Sequence, residues 1–143
     1  MTLLDTQNPA IPSVEASPAT LTQLLSDARK VVPEISARQA KRRLDNGDVD
    51  LLIDVREQDE WDRGHIPGAI HATRGQLEFF ADPGSDSAKP EITANHDARI
   101  IVQCEAGARS LLAAQTLKKM GYTNVTSMAG GFRDWSALGY PVE

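Results

Sequence analysis

Residues 99–121 read RIIVQCEAGARSLLAAQTLKKMG and place a strand, a cysteine, a loop and a helix in immediate succession. The apolar run within residues 99–103 has no polar alternation, which is typical of a strand buried on both faces. A helix follows the loop, carries two lysines in its last turn and ends at Gly121. Open α/β sheets place reactive groups where Cys104 stands, just beyond the carboxyl end of a strand.

Strand-like and helix-like segments alternate on both sides of this stretch. Short apolar runs at residues 51–55 and 124–127 predict two further buried strands. The polar, proline-containing stretch 81–97 predicts a long surface loop. Helical spacing predicts helices at residues 57–63, roughly 74–80, 108–120 and 131–138. This alternation predicts an α/β fold whose mainly parallel sheet is flanked by helices on both faces.

The sequence before the first strand divides into a leader and two helices. Residues 1–18 hold three prolines and no periodic apolar pattern, so we expect a flexible leader. Residues 19–33 form an apolar stripe at helical spacing that reaches Val32 and stops at a proline, which predicts an extra amphipathic helix. This helix either packs back onto the domain or serves as a dimer seam or docking helix. Residues 34–143 form the main domain, whose first helix starts at a capping box on Ser36.

Composition restricts the class of protein. The chain has 143 residues, 41% hydrophobic content and a formal net charge of -5, which suits one compact domain and gives no electrostatic reason to expect nucleic acid. With a single cysteine, no intramolecular disulfide can form. We find no secretory signal pattern and no apolar stretch of membrane-spanning length, so we expect a cytoplasmic protein that does not bind membranes.

The loop after Cys104 favours a reactive thiolate. Backbone N–H groups in a tight loop and in the first turn of a helix lack helical partners, so they form a cradle for an anion. Helix N-termini and cationic neighbours commonly lower the pKa of a cysteine, which makes the nucleophile abundant at neutral pH. Gly107 allows a tight turn, and Arg109 stands at the helix start. Two plainer interpretations are a buried structural cysteine and an arginine that is only a solvated surface residue.

Three segments in order resemble the rhodanese family of sulfurtransferases. The first is DVREQDEWDRGHIPGAI at residues 54–70, the second is CEAGARS from Cys104, and the third is GGFRDW at residues 130–135. The resemblance implies a parallel sheet of about five strands and sulfur transfer through a persulfide on Cys104. It also implies an anion-binding loop made of Glu105, Ala106, Gly107, Ala108 and Arg109, with Asp54, Arg56, His65 and Ser110 in supporting roles.

The supporting residues also have an interpretation from the sequence alone. Asp54 and Arg56 stand at a strand end, where they can form an ion pair. His65 in GHIPGA is most simply a hydrogen-bonding turn residue. The histidines have no metal-ligand spacing and only one cysteine is available, so we expect neither a metal site nor a cofactor.

The expected partners are a small-molecule or protein persulfide donor and a thiol acceptor, with the chain acting as a monomer or a homodimer. Glu105 stands where many thiosulfate-using members of the family carry a basic or neutral residue, so thiosulfate is expected to be a poor donor. Two alternatives stay open: a non-catalytic interaction module, and a phosphatase or arsenate reductase. Tyrosine-phosphatase-type enzymes have a longer loop than the four residues that here separate Cys104 from Arg109, which disfavours phosphate.

Overall fold

The computed structural model describes residues 17–143, so most of the leader expected at residues 1–18 lies outside the described part. A five-stranded sheet forms the centre, and all its strands run parallel. In chain order the strands are β1 (Glu34–Ile35), β2 (Leu51–Asp54), β3 (Ile70–His71), β4 (Ile100–Gln103) and β5 (Val125–Met128). They lie in the order β1-β5-β4-β2-β3, so β4 is central. The predicted parallel α/β fold is confirmed.

Helices cover the sheet. Within the described residues they are α1 (Leu21–Arg29), α2 (Ala37–Asp45), α3 (Gln58–Asp62), α4 (Leu77–Ala81), α5 (Pro90–Thr93), α6 (Ala108–Lys119) and α7 (Gly131–Ala137). A 3-10 turn at Arg74–Gln76 precedes α4, where the sequence predicts one continuous helix. The predicted surface loop at residues 81–97 contains α5, which a proline at its first position favours. None of these helices is long and apolar enough to cross a membrane.

Two apolar clusters pack against the two faces of the sheet. Because side chains alternate along a strand, Ile100 and Val102 of β4 enter one cluster and Ile101 enters the other. Cys104 continues the first set and is itself buried. Burial of β4 on both faces agrees with its unbroken apolar sequence and holds its carboxyl end in a fixed place.

Helix α1 packs against α6 but is shorter than its apolar stripe suggests. Thr20 caps it with a capping box, and the helix ends at Arg29, whereas the sequence pattern extends it to Val32. The chain turns there because the N–H groups of both Val31 and Val32 donate to the Ala28 carbonyl. Ala28 and Val32 enter the core, so the stripe is buried only in part. The outer leucines of α1 stay exposed, Leu21 by 61% and Leu24 by 46%.

Candidate active site

Cys104 lies at the carboxyl end of β4, where backbone N–H groups surround its sulfur. The Cys104 Sγ accepts a hydrogen bond from the Gly107 N–H at 3.1 Å and another from the Ser110 N–H at 3.3 Å. Gly107 adopts a φ of 107°, a value that other residues rarely reach, and so turns the loop back over the sulfur. The side chain is only 1% exposed, so the sulfur lies beneath the loop.

The other backbone amides of this loop form a separate group of donors. In residues 17–143, no acceptor is found for the backbone N–H groups of Glu105, Ala106, Ala108 and Arg109. The last two belong to the first turn of α6, where helical partners are missing by geometry. The side chains of Ala106 and Ala108 are exposed and small, so these residues offer only their backbone. Unpaired donors next to a sulfur provide a binding place for negative charge.

Two buried hydroxyl groups lie behind the sulfur. The Ser110 Oγ is 3.4 Å from the Cys104 Sγ and 2.9 Å from the Ser127 Oγ. Ser110 also donates to the Gly107 carbonyl at 3.1 Å. Ser127 belongs to β5 and is fully buried. No local pattern predicts its place in the site, because a serine in a buried strand has no motif of its own.

The start of α7 is hydrogen-bonded to the backbone of the cysteine loop. The N–H groups of Phe132 and Arg133 donate to the carbonyls of Cys104 and Glu105, at 2.8 and 3.0 Å. These contacts need a glycine at position 131. Gly131 has a φ of 50°, and a Cβ added there would collide with the Cys104 carbonyl oxygen. Gly131 therefore lets α7 approach the cysteine loop closely, and the two hydrogen bonds fix the loop backbone.

Arg109 is held by a carboxylate that the sequence analysis did not single out. Its two terminal nitrogens donate to Glu60 of α3 at 2.7 and 2.9 Å. This bidentate hydrogen bonding lowers the pKa of Glu60 to about 2 and raises the pKa of Arg109. The guanidinium is therefore committed to Glu60, while the Arg109 backbone remains in the loop. Glu60 falls inside the first family-like segment, but its spacing from Arg109 carries no sign of the contact.

Asp54 and Arg56 form the ion pair expected from the sequence, and it is buried. The Arg56 side chain is 2% exposed and donates to both oxygens of Asp54 and to the Gly64 carbonyl. Its remaining terminal nitrogen lies 3.4 Å from a carboxylate oxygen of Glu105. This pair thus connects the end of β2 to the second residue of the cysteine loop.

His65 and His71 both stack on Trp61. The ring centroids are 3.6 Å apart for Trp61 and His65 and 4.6 Å apart for Trp61 and His71, with nearly parallel planes. At these distances the two imidazole rings would overlap if they stacked on the same face of the indole. They therefore lie on its opposite faces, with the indole between them. His65 also exchanges two backbone hydrogen bonds with Glu143. It therefore joins chain segments beside the site and contributes no atom to the Cys104 hydrogen bonds.

Comparison with known proteins shows which domain family matches this chain. A model of the rhodanese-like domain family matches residues 36–138. The Bacillus subtilis candidate sulfur carrier protein YrkF is 35% identical over 111 residues, which cover 78% of this chain and 55% of that protein. The chain therefore spans about half the length of this curated relative.

Solved structures show the same fold. A Rhodopseudomonas palustris protein of unknown function, described as a candidate tyrosine phosphatase, is 34% identical with a TM-score of 0.82. The match covers 93% of this chain and 99% of that one. The human single-domain sulfurtransferase TSTD1 is 28% identical with a TM-score of 0.64, covering 74% of this chain and 96% of that one.

Proposed function

The chain belongs to the rhodanese-like domain family, and from that membership we propose that it is a sulfurtransferase whose Cys104 carries sulfur as a persulfide. One observation carries the proposal: the Cys104 sulfur accepts hydrogen bonds from two backbone N–H groups, and four further amides of the same loop have no acceptor in the described part of the chain. Such donors stabilise a thiolate before the reaction and an anionic outer sulfur after it.

The reaction proceeds in two half-reactions. The Cys104 thiolate attacks the sulfane sulfur of a donor, a new S–S bond forms, and the donor leaves with the electron pair of its broken bond. An acceptor thiolate then attacks the outer sulfur, and Cys104 leaves as a thiolate. The sulfur atom changes partners with no net oxidation, so no external redox agent is needed. Cyanide can replace the thiol acceptor in an assay.

The buried position of Cys104 agrees with this chemistry. An added sulfur lengthens the side chain by about 2 Å, toward the surface formed by the partly exposed Glu105 and the exposed Ala106. The inner sulfur stays under the loop, where water and unselected thiols have little access.

The charges around the loop favour a donor of low charge. Three carboxylates, from Asp54, Glu60 and Glu105, surround the two guanidinium groups of Arg56 and Arg109. Because this group carries net negative charge, it repels a dianion such as thiosulfate more than a singly charged persulfide. We therefore propose a low-molecular-weight or protein persulfide as the donor.

Residues 34–143 form the sulfurtransferase domain in this proposal. Helix α1 lies before the residues that match the family, 36–138. It adds to the domain by packing on α6, the helix that begins in the cysteine loop.

Intact-mass measurement tests the proposal. After incubation with an alkyl persulfide, the protein should gain about 32 Da, the mass of one sulfur, and lose it when a thiol or cyanide is added. Cys104→Ser should gain nothing. Absence of the added mass with every donor, or a Cys104 that alkylates only after unfolding, would refute the proposal. Release of phosphate from an aryl phosphate at a comparable rate would favour the phosphatase alternative.

Capture experiments separate the enzyme from an interaction module. An enzyme depends on its nucleophile, whereas a docking module depends on its surface. Binding of a protein partner that survives Cys104→Ala with unchanged affinity, without any sulfur transfer by the parent protein, would favour the module.

A further inference from the structure

A polar cavity of about 320 Å³ lies beyond the carboxyl end of β3 and has no role in the chemistry described above. We propose that it binds the carboxylate end of an extended low-molecular-weight thiol that accepts the sulfur from Cys104. This proposal rests on the proposed function and names the class of acceptor. The side chains that line the cavity are Gln58, His71, Thr73, Gln76, Phe80 and Lys89.

The cavity opens at the same edge of the sheet as Cys104. The chain leaving β3 is bonded to the end of β2, since the Ala72 N–H donates to Asp54 and the Arg74 N–H donates to Val55. Strand β2 lies between β3 and β4, so the cavity and Cys104 stand two strands apart. Strands are spaced by about 4.8 Å, so the carboxyl ends of β3 and β4 lie roughly 10 Å apart. A thiol of modest length spans this distance.

Lys89 supplies the positive charge. Its ammonium group lies 4.6 Å from the centre of the Phe80 ring, which holds it over the cavity wall. Among residues 17–143 no carboxylate comes within 4.0 Å of it. The carboxylate of Glu78, on the same helix as Phe80, is paired with Arg74. As far as residues 17–143 show, the cavity therefore presents one uncompensated cation, which suits one carboxylate group.

Neutral donors complete the cavity. In the described part of the chain, neither the Thr73 hydroxyl nor the Gln76 amide has a hydrogen-bond partner. The His71 Nε2 lies 2.8 Å from the Arg56 carbonyl oxygen, which can only accept, so Nε2 carries the proton. A carboxylate at Lys89 could accept from the hydroxyl and the amide as well.

The charge distribution separates this cavity from the cysteine loop. Glu105 and Glu60 give the loop its negative character, whereas the cavity holds the ammonium of Lys89. A bound acceptor thus keeps its carboxylate away from Glu105 while its sulfur reaches the outer sulfur of the persulfide. In that step a new S–S bond forms on the acceptor, the bond to Cys104 breaks, and the acceptor proton passes to water.

Two matched acceptors test the proposal. ω-Mercaptohexanoate and ω-mercaptohexanol have the same chain and nearly the same thiol, but only the first carries a carboxylate. The parent protein should show a KM for the acid about tenfold below that for the alcohol, since a charge-assisted hydrogen bond contributes that factor. Lys89→Gln should remove the difference, and Lys89→Arg should keep it. Lys119→Gln, which changes an exposed lysine at the end of α6, is the control and should keep it as well.

Equal KM values for the two acceptors in the parent protein would overturn the cavity assignment while leaving sulfur transfer intact. A binding measurement tests the case in which the proposed function fails but the cavity assignment holds. Cys104→Ala cannot transfer sulfur, yet titration with the unreactive ω-(methylthio)hexanoate should shift the amide resonances of Thr73 and Gln76. Binding without sulfur uptake by the parent protein would refute the proposed function alone, and absence of these shifts would refute the cavity assignment.

The rate of loading with a donor separates a donor site from an acceptor site. Loading should be equally fast in all lysine variants; a slower loading in Lys89→Gln would assign the cavity to the donor and overturn the acceptor proposal.

Discussion

Glu60 and Arg109 are joined by two parallel hydrogen bonds of 2.7 and 2.9 Å, although they stand 49 positions apart in the chain. The contact fastens α3 to the first turn of α6. It therefore connects the segment after β2 with the loop that holds Cys104. Its strength depends on the ionised form of Glu60.

Replacing Glu60 by Gln should lower the free energy of unfolding at pH 7 by about 1 kcal/mol, allowing for solvent screening at the partly exposed Arg109. The contact lowers the pKa of Glu60 from 4.5 to about 2, so its stabilisation is present above pH 4.5 and is lost as the pH falls toward 2. Urea unfolding of both proteins between pH 7 and pH 3 measures the difference. Glutamine keeps an oxygen for the Glu57 N–H, so helix capping is matched. A difference that does not shrink in acid would contradict the assignment.

Replacing Glu105 by Gln should raise kcat/KM for thiosulfate about tenfold, because a negative charge beside the persulfide site is removed. The gain should be larger at low ionic strength than at high, since Glu105 is partly exposed and salt screens it. Steady-state rates at several salt concentrations measure both effects. The rate with an uncharged donor provides the reference. An unchanged kcat/KM for thiosulfate would show that Glu105 does not select the donor.

Replacing Ser127 by Ala should slow the alkylation of Cys104 at neutral pH about tenfold, the factor expected for a hydrogen bond to a charged group. Ser127 is hydrogen-bonded to the Ser110 hydroxyl, whose own proton is donated to the Gly107 carbonyl. Because the Ser110 backbone N–H donates to the Cys104 sulfur, losing Ser127 should loosen one of the donors that stabilise the thiolate. Iodoacetamide kinetics on the folded protein measure the rate. Thr126→Ser, at a neighbouring buried position of β5, is the control. Equal rates in the parent and Ser127→Ala would exclude this hydroxyl from the site.

Replacing Gly131 by Ala should lower the free energy of unfolding by about 3 kcal/mol, because strain at positive φ adds to a collision with the Cys104 carbonyl oxygen. Gly139→Ala is the matched control. An alanine at its φ of 74° would also be strained, but the added Cβ would meet nothing within 4 Å. We therefore expect the free energy of unfolding to fall by only about 1 kcal/mol. Urea unfolding compares the two variants. Sulfur uptake should fall only in Gly131→Ala, and equal behaviour of the two variants would contradict a support role for α7.

The sequence predicts the elements with strong local patterns. The apolar runs predict β2, β4 and β5, and the capping box on Ser36 predicts the start of α2. The strands β1 and β3 have only two residues each, so no periodicity can reveal them. They exist because each pairs with a longer neighbouring strand, which is a property of the assembled sheet.

The residues of the candidate site also fall into those with a local sequence pattern and those that meet only in the folded chain. Cys104 and its loop are visible as one continuous stretch, and the pairing of Asp54 with Arg56 needs only two positions. The contact of Arg109 with Glu60 and that of Ser110 with Ser127 join different elements, and both form only when the helices dock on the sheet. A side chain that acts through such a contact has no local pattern to mark it.

The chain contains two tryptophans, and they lie at different depths. Trp61 of α3 is partly exposed between two imidazole rings, whereas Trp135 of α7 is 2% exposed and packs in the core. Emission from the first reports detachment of α3 alone, and emission from the second reports global unfolding. Single Trp→Phe replacements would therefore give two separate optical probes, with which local opening beside the sulfur can be timed against turnover.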